Sequence, residues 1–230
     1  MATKKLVVLS LGGSLIIPPA GFDVEFLKGF KALIAEYVGL GYRFIIVCGG
    51  GQTARSYQNA AKAVVKELAP EDVDWIGIHA TRLNAHLMRV VLREFAHPAV
   101  VRDFTNTVEW SESVLIASGW KPGCSTDFDA IKLAEQHGAH TILNLSNISY
   151  IYDADPRTNP KAKRLEHVSW HDLRKIVGDE WVPGANVPFD PIAAKLGEQL
   201  KFTVGFVKGT DLEQVRQAIQ GKPFDGTIIE

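Results

Sequence analysis

Cysteine, charge of one sign and long apolar runs are all scarce in this chain. Its 230 residues include two cysteines, Cys48 and Cys124, placed far apart. They supply neither a disulfide framework nor a metal-type spacing, and a reduced, cytoplasmic setting is the expectation. Cys124 is read as a small residue that fits a tight loop rather than as a reactive thiol. Lys and Arg total 25 against 26 Asp and Glu, so the net charge is −1. Without a basic stripe, nucleic acid is not the expected partner. The short Lys161, Lys163, Arg164 cluster reads as a solvated loop. No apolar run is long enough to span a membrane. Lys4-Lys5 and LVVLSLGGSLII imitate a signal peptide, but Gly12-Gly13 interrupts the run and Pro18-Pro19-Ala20 is a poor cleavage site. A buried parallel strand that ends in a loop explains the same letters. Also missing are a P-loop, a G-x-G-x-x-G fingerprint, a G-x-S-x-G elbow and a His/Cys cluster, so no metal site on the protein is expected.

Glycine-bearing loops are what the chain does have. Three of them follow short apolar runs: Gly12-Gly13-Ser14 after Leu6–Leu11, Gly49-Gly50-Gly51 after Phe44–Cys48, and Pro122-Gly123-Cys124-Ser125-Thr126-Asp127 after Val114–Ala117. Strand, glycine loop, then helix is the way a chain builds a phosphate cradle, because backbone N–H groups and a helix N-terminus face the anion. Any one of them is also a plain tight turn. Three together point to a site that grips several phosphates.

Strands and helices alternate from end to end. Asp23 is expected to cap a helix carrying Phe26, Leu27, Phe30, Leu33, Ile34, Tyr37 and Val38 on one face, ended by Gly39 and Gly41. A helix from Gly51 past Arg55 has Tyr57, Ala61, Val64, Val65 and Leu68 along one side. Pro70 opens a helical region through Phe95, a possible subunit interface. Ala99–Val101 and Val114–Ala117 read as strands. Thr126 looks like an N-cap, with Asp129 completing a capping-box-like pattern and complementing the helix dipole. Thr141–Leu145 is a strand, and Ser146 to Arg164 a proline-marked loop with short extended pieces. Helices follow at Trp170–Val177, Asp190–Leu200 and Asp211–Ile219, with strands at Phe202–Val207 and Thr227–Ile229. The alternation implies an α/β three-layer αβα sandwich with a mostly parallel central sheet, in one domain (residues 1–230) of two lobes. Ligands are then expected at the carboxyl ends of the strands, where the glycine loops fall.

The runs LGGSLI, GGGQTAR, HATRLNAHLM, PGCSTDFDAIKLA, SNISYIYDADPRTNP, FDPIAAKL and GTIIE occur in that order from Leu11 to Glu230. Their order and wording resemble the amino-acid-kinase superfamily, and within it the archaeal-type uridylate kinases. Tyr152, Asp155, Pro156 and Arg157 match a superfamily marker, and Ala80–Ala85 points to the uridylate kinase branch. The resemblance implies phosphoryl transfer from Mg2+-bound ATP to UMP, an N-terminal lobe for the acceptor, a C-terminal lobe for the donor, and a homo-oligomer, by family a hexamer. It implies that Gly12, Gly13, Ser14, Gly51, Arg55, Ser146, Asn147, Tyr152 and Asp155 hold ATP. It implies that Gly50 faces the UMP phosphate, Asp74 the ribose, and Trp120, Lys121, Pro122, Gly123, Cys124, Ser125 and Thr126 wrap UMP. Asp127 and Arg55 are the implied catalytic residues, and Mg2+ rides mainly on the ATP phosphates.

Two departures from the family pattern stand out. Many members have Lys where this chain has Ser10, which leaves Lys5, Lys121 and Lys195 as candidates for the cation. The family's Asn-Val-Asp-Gly-Val-Tyr reads Asn147-Ile148-Ser149-Tyr150-Ile151-Tyr152 here. Asp-Gly favours a turn with positive φ, which Ser-Tyr resists. Another kinase of the same superfamily, or a non-catalytic nucleotide-binding scaffold, are the alternative readings.

Overall fold

A strand of five apolar residues and one serine, LVVLSL, needs cover on both sides, and the chain supplies it. The structure, a computed structural model, describes residues 5–183 and 187–230. Lys4, of the basic pair, and parts of the expected 1–230 unit lie outside the described residues. Strand β1 (Leu6–Leu11) pairs in parallel with β2 (Arg43–Cys48) on one side and with β4 (Thr141–Ser146) on the other. Beyond β2 lies β3 (Val114–Ala117), and beyond β4 lie β8 (Val204–Lys208), β9 (Gly226–Ile229) and β7 (His167–Val168). Among the described residues, only the β8–β9 pairing is antiparallel in this sheet. A separate antiparallel pair, β5 (Ile151–Tyr152) and β6 (Arg164–Leu165), supplies short extended pieces in the proline-marked stretch and at its end.

Alternate side chains of β1 feed two cores. Val7, Leu9 and Leu11 pack with helices α2 (Val24–Gly39), α4 (Pro70–Val91) and α8 (Leu212–Gln220). Val8 belongs to the opposite core, with α5 (Thr126–His137), α6 (Trp170–Val177) and α7 (Pro191–Leu200). The result is the expected αβα sandwich. A one-turn helix, α1 (Gly13–Ile16), follows β1 directly. Asp23 caps α2 as expected, accepting from Phe26 N at 2.9 Å.

Four local expectations are corrected. Helix α3 (Gly51–Val64) buries no residue, so its apolar side is surface; Tyr57 is 68% and Val64 83% exposed. Helix α4 stops at Val91 and turns through Phe95. Ala99–Val101 contributes only an isolated bridge, Val101 to Ala117, at the edge of β3. The N-cap of α5 is Ser125, whose side chain accepts from Asp127 N; Thr126 is the first helical residue.

The strand order reverses between β1 and β4. The chain winds outward from β1 in one direction to β2 and β3, and β4 starts the other wing. At such a switch point the loops diverge and leave a crevice above the strand tips.

Candidate functional site

Register across the switch point brings polar groups together. Ser10 on β1 stands opposite Asn144 on β4, each flanked by leucines in its own strand. Ser10 Oγ donates to Asp127 Oδ1 at 2.8 Å, and Asn144 Nδ2 donates to the same oxygen at 2.7 Å. Asp127 sits in the first turn of α5, so the third loop is tied to the tips of both central strands. Burial, and next the charge of Asp190, push the Asp127 carboxyl up to about 6, and the Ser10 and Asn144 bonds only partly offset this.

The first two glycine loops touch backbone to backbone. A Cβ on Gly13 would lie 2.0 Å from Gly51 N and 2.5 Å from Gly49 C. Gly51 also has φ +60°, so it needs glycine twice over. The expected cradle is altered in one detail: Gly12 N–H donates to Leu145 O at 2.9 Å and is not open to a phosphate. A side chain on Gly50 would meet Ala54 Cβ at 2.7 Å and wedge against α3, and Gly50 itself lines the cavity beside these loops. Asn84 orders this loop, donating from Nδ2 to Gly49 O at 2.8 Å and Gly50 O at 3.1 Å. Thr81 Oγ1 accepts from Gly119 N at 2.8 Å. The A-T-R-x-N-A run thus works by positioning two loops from one face of α4.

A cavity of about 510 Å³ opens beside these loops. Its walls include Gly50, Gly51 and Arg55 from α3 and Asp74, Gly77, Ile78 and Thr81 from α4. Gly119, Cys124, Ser125, Thr126 and Asp129 from the third loop and α5, with Arg157 and Trp181, complete it. This size suits a small organic ligand. Arg55 and Gly51, expected on the donor side, line the same cavity as Asp74 and Gly50. Arg55 also reaches the first loop, with Nη2 3.2 Å from Ser14 Oγ. Trp120, Lys121, Pro122 and Gly123 do not line this cavity. Trp120 packs on Phe104, with ring centroids 5.6 Å apart, and Lys121 Nζ lies 4.2 Å from the centroid of the Trp120 ring. Gly123 N–H donates to Asp74 Oδ2 at 2.9 Å.

Asp190 does two jobs. Its Oδ1 caps α7 at Ile192 N, 2.7 Å away, and its Oδ2 accepts from Ser125 N at 2.7 Å. Asp-Pro announced the cap, but nothing in the sequence announced the second bond. Asp129 is also reassigned. It is 1% exposed, its Oδ2 accepts from Trp120 N at 3.3 Å, and its Oδ1 has no partner. A solvated carboxylate serving the helix dipole does not describe it, and burial holds its carboxyl well above the usual range. Burial, with Asp129, Asp190 and Asp74 nearby, pushes the Cys124 thiol up as well, in keeping with an unreactive loop cysteine.

Gly12, Gly13, Ser14, Ser146, Asn147, Tyr152 and Asp155 do not line this cavity. Gly12 to Ser14 and Ser146 follow the neighbouring tips of β1 and β4. Ser146 O accepts from Gly209 N at 2.8 Å, and Asn147 is exposed. Tyr152 pairs with Arg164 in the β5–β6 ladder, and the Asp155 carboxylate holds Arg157 at 2.7 Å. The Ser149-Tyr150 segment takes no positive φ among the described residues. Tyr150 is buried instead, and its hydroxyl donates to Asp225 Oδ1 at 3.2 Å. Of the three candidate lysines, Lys5 is excluded. It precedes β1 at the end away from the loops and lies over Tyr42. Lys195 is exposed on α7.

Comparison with known proteins agrees with this geometry. Residues 5–204 match the model of the amino acid kinase family. The uridylate kinase of Thermococcus sibiricus is 34% identical over 229 residues, covering 97% of this chain and 99% of that protein. The uridylate kinase of Methanocorpusculum labreanum is 33% identical over 226 residues, covering 97% and 94%. Among solved structures, the uridylate kinase of Archaeoglobus fulgidus superposes with a TM-score of 0.82 at 34% identity, over 97% of this chain and 99% of that one. The UMP kinase of Bacillus anthracis, at 21% identity and a TM-score of 0.76 over 98% and 96%, shares the fold.

Proposed function

The chain belongs to the amino acid kinase family, and from that premise we propose that it is a uridylate kinase, a nucleoside monophosphate kinase that converts UMP and ATP to UDP and ADP. The observation that carries the assignment of the acceptor site is the shared cavity of Arg55, Gly51, Asp74 and Thr126 beside the Gly12–Ser14 loop. An anion at the N-terminus of α3 meets backbone dipoles and the Arg55 guanidinium. Asp74, one wall away, accepts from ribose hydroxyls. The donor lies over the tips of β1 and β4, with Ser14 and Ser146 at its phosphates and Asn147, Tyr152 and Asp155 towards the nucleoside.

Phosphoryl transfer asks the protein for alignment and charge stabilisation more than for covalent chemistry. Arg55 faces the cavity and also holds Ser14, so it bridges the acceptor phosphate and the donor's terminal phosphate. Asp127 fixes the geometry between them through Ser10 and Asn144. Among the described residues no group of three or more His, Cys, Asp or Glu is arranged to hold a metal ion. Mg2+ would be carried by the ATP phosphates and its own waters, and would offset their charge.

The reaction belongs to pyrimidine nucleotide synthesis in the cytoplasm, carried out by a homo-oligomer, a hexamer by resemblance. Support for self-association comes from an apolar groove of about 490 Å³ on α3 and α4, walled by Tyr57, Trp75, Ile76 and Leu83. A coupled assay of ADP release with Mg2+-ATP and a panel of nucleoside monophosphates tests the function. Turnover on UMP well above CMP is expected. ATP binding without turnover on any acceptor would make the protein a nucleotide-binding scaffold instead.

A further inference from the structure

Trp181 lies in the irregular stretch between α6 and α7, half-buried, and lines the cavity beside Asp74. Its Nε1–H donates to Asp74 Oδ2 at 3.0 Å. Gly123 N–H donates to the same oxygen at 2.9 Å. The carboxylate rises from α4 and is 9% exposed, so solvent does little to hold it in place. Two donors from separate segments hold it instead, one after β3 and one before α7. An indole N–H is a donor only, and a partly buried one seeks an acceptor, so the pair is chemically matched. With Oδ2 saturated from two sides, Oδ1 is the oxygen left to accept from a ligand.

We propose that Trp181 is a positioning and specificity residue for the acceptor nucleotide: its indole N–H fixes the Asp74 carboxylate so that Oδ1 reads the ribose hydroxyls, and its ring walls the nucleoside side of the cavity. This rests on the uridylate kinase reading for the identity of the ligand. Nothing in the spacing of the sequence singles out Trp181, since it stands in a segment of no regular structure. Its role is set by the tertiary contact that brings its indole to Asp74 on α4.

The two contributions of the side chain are separable. Phenylalanine keeps an aromatic wall and removes the N–H, whereas alanine removes both. A carboxylate held by one donor instead of two swings more freely and distinguishes a ribose 2′-hydroxyl from hydrogen less well. The test is steady-state kinetics and calorimetric binding of the full chain with UMP and dUMP, for wild type, Trp181→Phe and Trp181→Ala. Trp181→Phe is expected to raise KM for UMP by about 10-fold while kcat and KM for ATP change by less than about twofold, the size of effect for one charge-assisted hydrogen bond. The wild-type preference for UMP over dUMP should shrink by a similar factor, and Trp181→Ala should weaken both ligands further. In an Asp74→Ala background, Trp181→Phe should add nothing, as two residues acting through one contact require. An unchanged UMP to dUMP ratio in Trp181→Phe, in kinetics or in binding, overturns the proposal. Binding of UMP without turnover by the wild type counts against the kinase reading alone, and the calorimetric ratio still decides the role of Trp181. If the wild type binds neither nucleotide, both readings fall.

Discussion

Asparagine at position 127 keeps the shape of the central carboxylate and removes its charge. In the native chain that charge is buried, and the carboxyl is pushed from 3.8 up to about 6, first by desolvation and then by Asp190. At 1.36 kcal/mol per unit, holding it ionised at pH 8 costs roughly 3 kcal/mol relative to the unfolded chain. The amide oxygen of asparagine still accepts from Ser10 and Asn144, and the strength of their bonds to the carboxylate is already counted in that figure. The expectation at pH 8 is a variant more stable by up to about 3 kcal/mol, or a Tm higher by up to about 6–12 °C for a chain of this size. The pH dependence fixes the cause. A carboxyl whose folded pKa is raised carries its full penalty above the folded value, a shrinking one between about 6 and 3.8, and none below 3.8. The advantage of Asp127→Asn should therefore be present at pH 7 to 8 and vanish as the pH falls towards 4. Activity should move the other way, with kcat lower by about 100-fold, as for the loss of a preorganised charged group at a transfer site. Thermal denaturation from pH 4 to 8 and the coupled assay at pH 7.5 measure the two effects. A variant that is less stable at pH 8 by a margin independent of pH would refute the charge argument. Undiminished kcat would remove Asp127 from the reaction.

The remaining predictions concern the loops. Arg55→Ala should lower kcat/KM by about 10- to 150-fold, the worth of a charge-assisted phosphate contact, and should raise KM for UMP as well as for ATP, since Arg55 lines the cavity and holds Ser14. Its Tm should stay at the wild-type value; unchanged kinetics would take Arg55 out of the site. Gly13→Ala should destabilise by about 3 kcal/mol in urea unfolding, because its Cβ would stand 2.0 Å from Gly51 N and backbone cannot step aside as a side chain does. Gly39→Ala, with nothing within 4 Å of its Cβ, is the control and should be neutral or slightly stabilising. Equal losses for the two glycines would refute the packing account of the loops.

Much of the architecture could be read from the letters, for a physical reason. A parallel strand covered on both faces must be apolar for most of its length, so LVVLSL, FIIVC and VLIA announce themselves, with Ser10 the exception. Helix starts were legible where one side chain caps, as at Asp23, Asp190 and Asp211. Local pattern misled where two readings fit it equally. The apolar side of α3 looks like a core face but lies on the surface. Asp129 looks like a cap partner but is turned inward to Trp120 N. Asp74 was legible by resemblance, and the wall it shares with Gly77, Ile78 and Thr81 follows from helical spacing once Asp74 is chosen.

What the sequence determined by itself is the order of strand, glycine loop and helix, because each unit is specified by contacts between near neighbours along the chain. What only the tertiary structure decided is which units face one another. Ser10 and Asn144 became partners because the parallel register of β1 and β4 places them side by side below Asp127. Asp190 and Trp181 entered the site because segments distant in sequence cross at the open end of the sheet. Strand pairing and the reversal of winding direction set those meetings. Both depend on the packing of the whole sheet, which no local run of residues encodes.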